Sequence, residues 1–471
     1  MTALRPGRLE QDALVRALDR AAGARSIPGN RVELLFDGPD VFAAMRELIA
    51  AATSWVHLDN YIIRDDRTGR EFSALLAEKA RAGVSVRVST DWLGSFSTRR
   101  SYWSALREAG VAVRIFNGPR LFDVPSLLSR NHRKILVADG TRAVIGGLCL
   151  GDEWAGDPER GRLPWRDTAV RIDGPAATAI DQAFGVTWRR SGGELEDGES
   201  VGAVESRGNA AVRVLVGEPA RERAYRVSEL LLATAAERVW ITDAYLVAPR
   251  RLYRYLIDAA REGVDVRLLV PGSSDLPVVR NLTRFGYRDL LAAGVRIFEW
   301  QGPMLHAKTV VADNRWVRVG SSNLNHSSLV GNYELDVLAD SVELADRMEA
   351  QFRRDMDRSA EVMRRPRRVP PPLRRVVPPA LEIPRAPASP PHRRGLRERR
   401  GGSVLALRTL AASARLAIFG PLAIVLALLG LLFFVIPGIM AIGFGTLSLW
   451  LALVAGGEVV RRRADPPDGR S

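Results

Sequence analysis

The sequence predicts an α/β protein built as two repeated α/β/α layered domains packed about a pseudo-two-fold axis, followed by a C-terminal transmembrane helical hairpin. Three observations carry this expectation. Segments of residues 30–205 recur in the same order within residues 206–360. Each unit alternates β-branched apolar runs with amphipathic stretches, the pattern of strands layered with helices. Residues 416–457 carry no charged side chain, twice what the roughly 20 residues of one bilayer crossing require. A repeat of this length means duplicated domains rather than a solenoid.

Residues 1–29 open on "MTALRPGRLEQDALVRALDRAAGA", which reads as an amphipathic helix and lacks the apolar run of a cleaved signal peptide. The repeat then begins. "VHLDNYI" (56–62) returns as "WITDAYL" (240–246), aligning Asp59 with Asp243 and Tyr61 with Tyr245. "AGVSVRV" (82–88) returns as "EGVDVRL" (262–268), and "LREAGVAVRIF" (106–116) as "LLAAGVRIF" (290–298). Each unit closes on one further pair, "NHRKILVAD" (131–139) and "LHAKTVVAD" (305–313), both spaced H-x-K-x4-D.

That last pair stands out because its residues are rare. The chain holds five histidines and three lysines, Lys79, Lys134 and Lys308, and writes almost every other basic residue as Arg. Random placement gives about 0.03 His-x-Lys pairs, yet two occur at matching places in the repeat. The motif is expected on a strand ending in a tight turn, with His132 and Lys134 on one face, and likewise His306 and Lys308. Asp139 and Asp313 fall at the turns, where they can be catalytic or ordinary Asp-Gly and Asp-Asn turn residues. Lys79 is expected on a solvated helix face.

Two histidines and two lysines brought face to face suit phosphoryl chemistry. Lysine is a compact charge for a phosphate oxygen, where the planar fork of Arg does not fit. One imidazole can attack phosphorus while the other protonates the departing oxygen. The lysines neutralise the developing charge, so no metal or cofactor is expected. Downstream, "GSSNLNHSSLVGNYE" offers Ser321 and Asn323 to a phosphate and Glu334 to the second nitrogen of an imidazole. In the first unit Cys149 stands where Asn323 stands, and Asp167 in "WRDTAVRI" is the matching carboxylate. Ser321 and Asn323 can also be plain turn residues, and Glu334 and Asp167 plain strand residues.

The tail is of a different kind. Residues 361–402 form a linker rich in Pro and Arg, extended rather than folded. The hairpin is expected over residues 403–460, turning at Pro437 and Gly438, and Arg461, Arg462 and Arg463 open a basic tail over 461–471. Arginines flank both ends of the apolar run, which places both ends, and the catalytic domain, on the cytoplasmic side of the plasma or inner membrane. The net charge of +14 belongs here too: residues 353–400 carry +10 and residues 401–471 carry +3, leaving +1 on residues 1–352. A nearly neutral body argues against nucleic acid as a partner. The single cysteine excludes an intramolecular disulfide.

H-x-K-x4-D-x6-G-S/G, present twice, resembles the signature of the phospholipase D superfamily. "RVELLFDGPDVFAAMRELIAAATSWVHLDNYIIRDD", "GPRLFDVPSLLSRNHRKILVADG" and "GSSNLNHSSLVGNYEL" are similar to its bacterial cardiolipin synthase branch. The resemblance covers roughly residues 30–355. It implies one active site shared by two α/β domains and transesterification through a phosphatidyl-histidine. His132, Lys134, Asp139, His306, Lys308 and Asp313 match the catalytic positions, with His132 as nucleophile, and Ser321 and Asn323 match phosphate contacts. The implied substrates are phosphatidylglycerol and a glycerol-bearing acceptor lipid at a membrane. Hydrolysis to phosphatidic acid is the alternative, and a nuclease a weaker one. Cys149 departs from the usual Asn, Asn325 from a frequent Asp, and the membrane segment is C-terminal where many relatives carry it N-terminally.

Overall fold

The computed structural model describes residues 6–118, 129–196, 202–221 and 223–363. They lie in the first of two units into which the chain divides, residues 1–369 and 370–471. The predicted hairpin, the basic tail and the linker from residue 364 onward fall outside the described residues. Among those described, no helix is long and apolar enough to cross a membrane.

The duplication is visible in the sheet. Strands β1 (Ile27–Phe36), β2 (Trp55–Asn60), β3 (Ser85–Asp91), β4 (Ala112–Phe116), β5 (Lys134–Ala138), β6 (Arg142–Gly146) and β7 (Thr168–Asp173) make the first half. The second half repeats them as β8 (Ala210–Gly217), β9 (Arg238–Thr242), β10 (Asp265–Pro271), β11 (Arg296–Trp300), β12 (Thr309–Ala312), β13 (Trp316–Gly320) and β14 (Glu334–Asp340), and adds an edge strand β15 (Ser359–Glu361). They form one sheet in the order β15-β11-β10-β9-β12-β13-β14-β8-β1-β7-β6-β5-β2-β3-β4. Read outward from the β8–β1 contact, the order is the same in both directions. There β1 meets β8 antiparallel, with Ile27 opposite Val212 and Asn30 opposite Ala210.

Helices cover this sheet. In the first half α2 (Asp37–Ala51), α3 (Arg67–Arg81) and α4 (Arg100–Glu108) precede the short α5 (Asp152–Ala155) and α6 (Pro175–Arg190). The second half has α7 (Arg223–Thr234), α8 (Arg250–Arg261), α9 (Pro277–Phe285), α10 (Tyr287–Ala293) and α11 (Val342–Asp357). Three buried clusters result. Two belong to single halves, one under α2–α4 and one under α7, α8 and α10. The third is common: Ile180, Phe184 and Trp188 of α6 and Leu344, Met348 and Phe352 of α11 share it with inward residues of both sets of strands. Arg166 beside β7 reaches across to Asp355 of α11 at 2.8 Å, both nearly fully buried. The halves are therefore fused through their interiors.

The N-terminal helix α1 (Pro6–Ala22) is shorter than the predicted 1–29, because Ile27 already begins β1. It packs on the second half, where Leu18 and Ala22 are buried and Asp19 meets Arg213 at 2.7 Å. Lys79 lies on α3, the helix expected for it, and is half-buried there. Its Nζ donates to the carbonyls of Ala50 and Ala52, at 2.5 and 3.1 Å, closing the C-terminus of α2.

The two motif aspartates are corrected here. Asp139 and Gly140, with φ of 52° and 61°, are the central residues of the turn between β5 and β6, closed by Thr141 N donating to Ala138 O. Asp313 and Asn314, at 49° and 48°, make the one between β12 and β13. Both central residues of such a turn need positive φ, which Asp, Asn and Gly tolerate best. The Asp139 carboxylate accepts the N–H groups of Thr53, Ser54 and Trp55 at 3.1, 2.8 and 3.0 Å. Asp313 does the same for Ala236, Glu237 and Arg238 at 2.8, 2.8 and 3.0 Å. Each thus pins the start of β2 or β9 at the far end of its strand, about 17 Å from the motif lysine. They hold register and do not touch the reacting atoms.

Asp139→Ala or Asp313→Ala should therefore cost about 1–2 kcal/mol of stability. Thermal unfolding should show the lower midpoint, while turnover per folded molecule stays close to the parent's. Lost turnover at an unchanged midpoint would return these residues to the chemistry.

Candidate active site

β5 runs antiparallel to β2, with Lys134 opposite Asn60, so the start of one strand lies at the end of the other. β12 begins beside the end of β9 in the same way, Thr309 opposite Thr242. His132 and His306 stand just before these strands rather than on them. Short backbone pairings between the halves fix each one. His132 N donates to Tyr333 O at 2.9 Å, and Tyr333 N to Arg130 O at 2.8 Å. In the other half, His306 N donates to Arg166 O at 2.7 Å, and Arg166 N to Met304 O at 2.9 Å.

These pairings deliver a carboxylate to each ring from the opposite half. Glu334, at the start of β14, places both oxygens 3.0 Å from His132 Nδ1. Asp167, just ahead of β7, places Oδ2 2.7 Å from His306 Nδ1. An ionised carboxylate only accepts, so each Nδ1 carries the proton and each Nε2 keeps its lone pair. Both carboxylates were anticipated, and the exchange between halves is what the structure adds.

Charge in this site is held against desolvation. Burial pulls His132 below its ordinary value, with Glu334 opposing. Burial, reinforced by Lys308, pulls His306 down to about 4. Lys134 is lowered by burial, and Lys308 is lowered to about 8, again chiefly by burial and then by Lys134. Burial opposes the charge on Glu334 and Asp167 as well, but His132 and His306 outweigh it and hold both carboxyls below their usual range. Lys308 acts on His132 and Lys134 on His306, so the two motifs share one electrostatic space. Each lysine Nζ donates to the carbonyl of its own motif histidine.

Ser321 turns to the carboxylate rather than standing free for a phosphate. Its Oγ donates to Glu334 at 2.5 Å and accepts from Leu335 N at 3.0 Å, so it steadies the carboxylate. Ser328, not foreseen, also donates to Glu334. Asn323 is buried, and its Oδ1, which only accepts, has no partner among the described residues; a phosphate oxygen would be met by its Nδ2 amide instead. Cys149 is buried, and burial keeps its thiol protonated.

Aromatic walls were also missed as site residues. Tyr61 stands 4.9 Å from the His132 ring, and Lys134 Nζ lies 5.1 Å from the Tyr61 centroid. Tyr245 holds the matching place at 5.9 Å from His306. Trp154 and Trp165 flank His306 at 5.6 and 5.7 Å. Repeat alignment already paired the two tyrosines, and that signal could have placed them here.

The family described as cardiolipin synthase, PLD-like domain, matches residues 45–153 and 230–356, the segments that carry both histidines. The chain belongs to this cardiolipin synthase family of the phospholipase D superfamily. Cardiolipin synthase A of Pseudomonas syringae pv. syringae is 33% identical over 359 residues, 75% of this chain and 74% of that protein. Cardiolipin synthase of Halalkalibacterium halodurans is 30% identical over 361 residues, 75% of this chain and 71% of that protein. A crystal structure of phosphatidylserine synthase from Haemophilus influenzae shares the fold, with a TM-score of 0.60 at 14% identity over 74% of this chain and 92% of that one. Membership makes the chain a phospholipase D-type phosphatidyltransferase.

The depressed His306 has a consequence for stability. Unfolded, an imidazole binds its proton near pH 6.5, whereas in the folded cardiolipin synthase-type site it does so at about 4. Between these values the unfolded chain holds more protons, so this group makes stability rise with pH across the window. Asp59 and Asp243, raised to about 6 by burial, act in the opposite sense. The difference between parent and His306→Gln sets Asp59 and Asp243 aside and reports the imidazole together with the Asp167 carboxyl it holds down, both of which favour the parent as pH rises. Denaturation midpoints at steps from pH 4 to 7 should show the parent gaining on the variant as pH rises; parallel profiles would contradict the assignment.

Proposed function

We propose that the chain transfers a phosphatidyl group from phosphatidylglycerol to a hydroxyl of a second glycerol-bearing lipid, releasing glycerol and forming cardiolipin. The observation that carries this is the pair of carboxylate-held imidazoles, each with a free Nε2 beside a motif lysine. His132 Nε2 attacks phosphorus, and the bond from phosphorus to the glycerol oxygen breaks. A proton on His306 Nε2 goes to that oxygen. The acceptor hydroxyl then gives its proton back to His306 and attacks phosphorus, breaking the P–N bond and freeing His132. The anionic diester between Lys134 and Lys308 offsets the charge that depresses His306, so the ring takes up its proton with substrate. The role of His132 as nucleophile follows the family resemblance; pseudo-symmetry treats the rings alike.

Purified protein given labelled phosphatidylglycerol should yield cardiolipin and glycerol in equal amounts; phosphatidic acid as the main product would make water the acceptor. With a donor whose leaving group needs no protonation, His306→Ala should accumulate a phosphatidyl adduct on His132, and His132→Ala should accumulate none. An adduct on His306 in the latter protein would reverse the roles.

The membrane attachment belongs to the same proposal. The uncharged run 416–457, flanked by arginines, supports two crossings with the catalytic body on the cytoplasmic side. Cysteines introduced at residues 403 and 465 should both react with reagent only from the cytoplasmic face. Labelling from opposite faces would mean an odd number of crossings.

A further inference from the structure

Large apolar side chains normally lie scattered on a soluble surface, and a contiguous group marks a contact. Among the described residues, most of the exposed ones sit on the segments that frame the site. After β3 the chain enters the loop with Leu93 and Phe96, the latter 71% exposed. After β10, the matching strand of the repeat, comes α9, with Val278, Leu282 and Phe285 exposed at 57, 54 and 90%. Their spacing of four and then three residues puts them on one stripe of the helix. Leu163, 63% exposed, precedes the loop that brings Trp165 to His306.

Hydrogen bonds tie the first two of these segments to the catalytic centre. Asp91 accepts Leu93 N and Asn131 N, both at 2.9 Å, linking the first loop to the residue before His132. Asp275, two residues before α9, accepts the Tyr245 hydroxyl at 2.8 Å, and Tyr245 faces His306. The segments are therefore anchored while these apolar side chains stay exposed. Helix α9 has no acidic residue, and its Arg280 makes no ion pair among the described residues.

We propose that this rim is a membrane-docking surface, seated in an anionic phospholipid bilayer around the mouth of the active site and acting independently of the C-terminal hairpin. The inference rests on the lipid substrate proposed above. A diacyl donor lies with its acyl chains in the bilayer, so a site that takes its headgroup must approach the interface, and apolar side chains beside arginine suit that boundary. Pseudo-symmetry puts an apolar element on either side of the mouth, one after β3 and one after β10.

The test uses the full chain reconstituted in vesicles containing phosphatidylglycerol, with a polarity-sensitive dye on Phe285→Cys, Phe96→Cys or, as a control, Val342→Cys at the start of α11. Dye at 285 and 96 should shift to the blue and be quenched by lipids carrying a spin label high on the acyl chain, with neither effect at 342. Phe285→Asp and Phe96→Asp should each slow turnover of vesicle phosphatidylglycerol about tenfold and leave turnover of a short-chain, monomeric phosphatidylglycerol unchanged. Equal loss on both substrates, or no lipid quenching at either rim position, overturns the docking surface. A blue shift that persists in lipid-free detergent, without lipid quenching, assigns the rim to a protein contact instead. Absence of any transfer from the short-chain donor by the parent would strike the substrate reading, a separate outcome.

Discussion

Everything about the site depends on an exchange: each imidazole is oriented by a carboxylate belonging to the other half of the chain. Glu334 serves His132 and Asp167 serves His306. The backbone pairings of Tyr333 with Arg130 and His132, and of Arg166 with Met304 and His306, bring these groups together. Those pairings in turn require the β1–β8 contact and the common cluster under α6 and α11. Neither half holds a competent histidine by itself, because the group that fixes its tautomer is supplied from across the axis.

Burial sets the electrical character of this arrangement. Desolvation disfavours every charge in the site, and only mutual pairing keeps the carboxylates ionised. With the imidazoles neutral, the two lysines and the two ionised carboxylates balance in charge, and a phosphodiester arriving at the lysines brings the negative charge that lets one ring take up a proton. Lysine fits such a space because its ammonium sits directly behind the histidine carbonyl it bonds, where a guanidinium fork would need more room.

Much of this was legible in the sequence. The duplication, the strand-turn-strand form of each motif, the two carboxylates and the rarity of lysine all follow from spacing and composition. The aspartates of the motif show where legibility stops. Position alone put them near the chemistry, whereas their carboxylates cap backbone N–H groups brought close only by β2–β5 and β9–β12 pairing. Ser321 was read as a phosphate contact because nothing in one dimension reveals that Glu334 reaches it first. Tyr61 could have been placed from its pairing with Tyr245 in the repeat, but no such pattern links Trp154 and Trp165 to His306. Exchange between halves is invisible for the same reason.

The sheet registers make Glu334 and Asp167 equivalent, since Gly320 pairs with Asp336 and Gly146 with Ala169. Around them the copies differ. The longer carboxylate is steadied by Ser321, while the shorter one lies against Gly147, where an added Cβ would come within 2.3 Å of its oxygen. Asn323 likewise faces the site from a position that Cys149 fills in the other copy. Two identical subunits would be obliged to repeat every such choice on both sides of their axis. Joining the copies in one polypeptide removes that obligation, so a substitution can tune one ring without altering the other. The departures from symmetry are then where the chain has made two originally interchangeable sides into an ordered pair, one able to specialise in attack and the other in proton transfer.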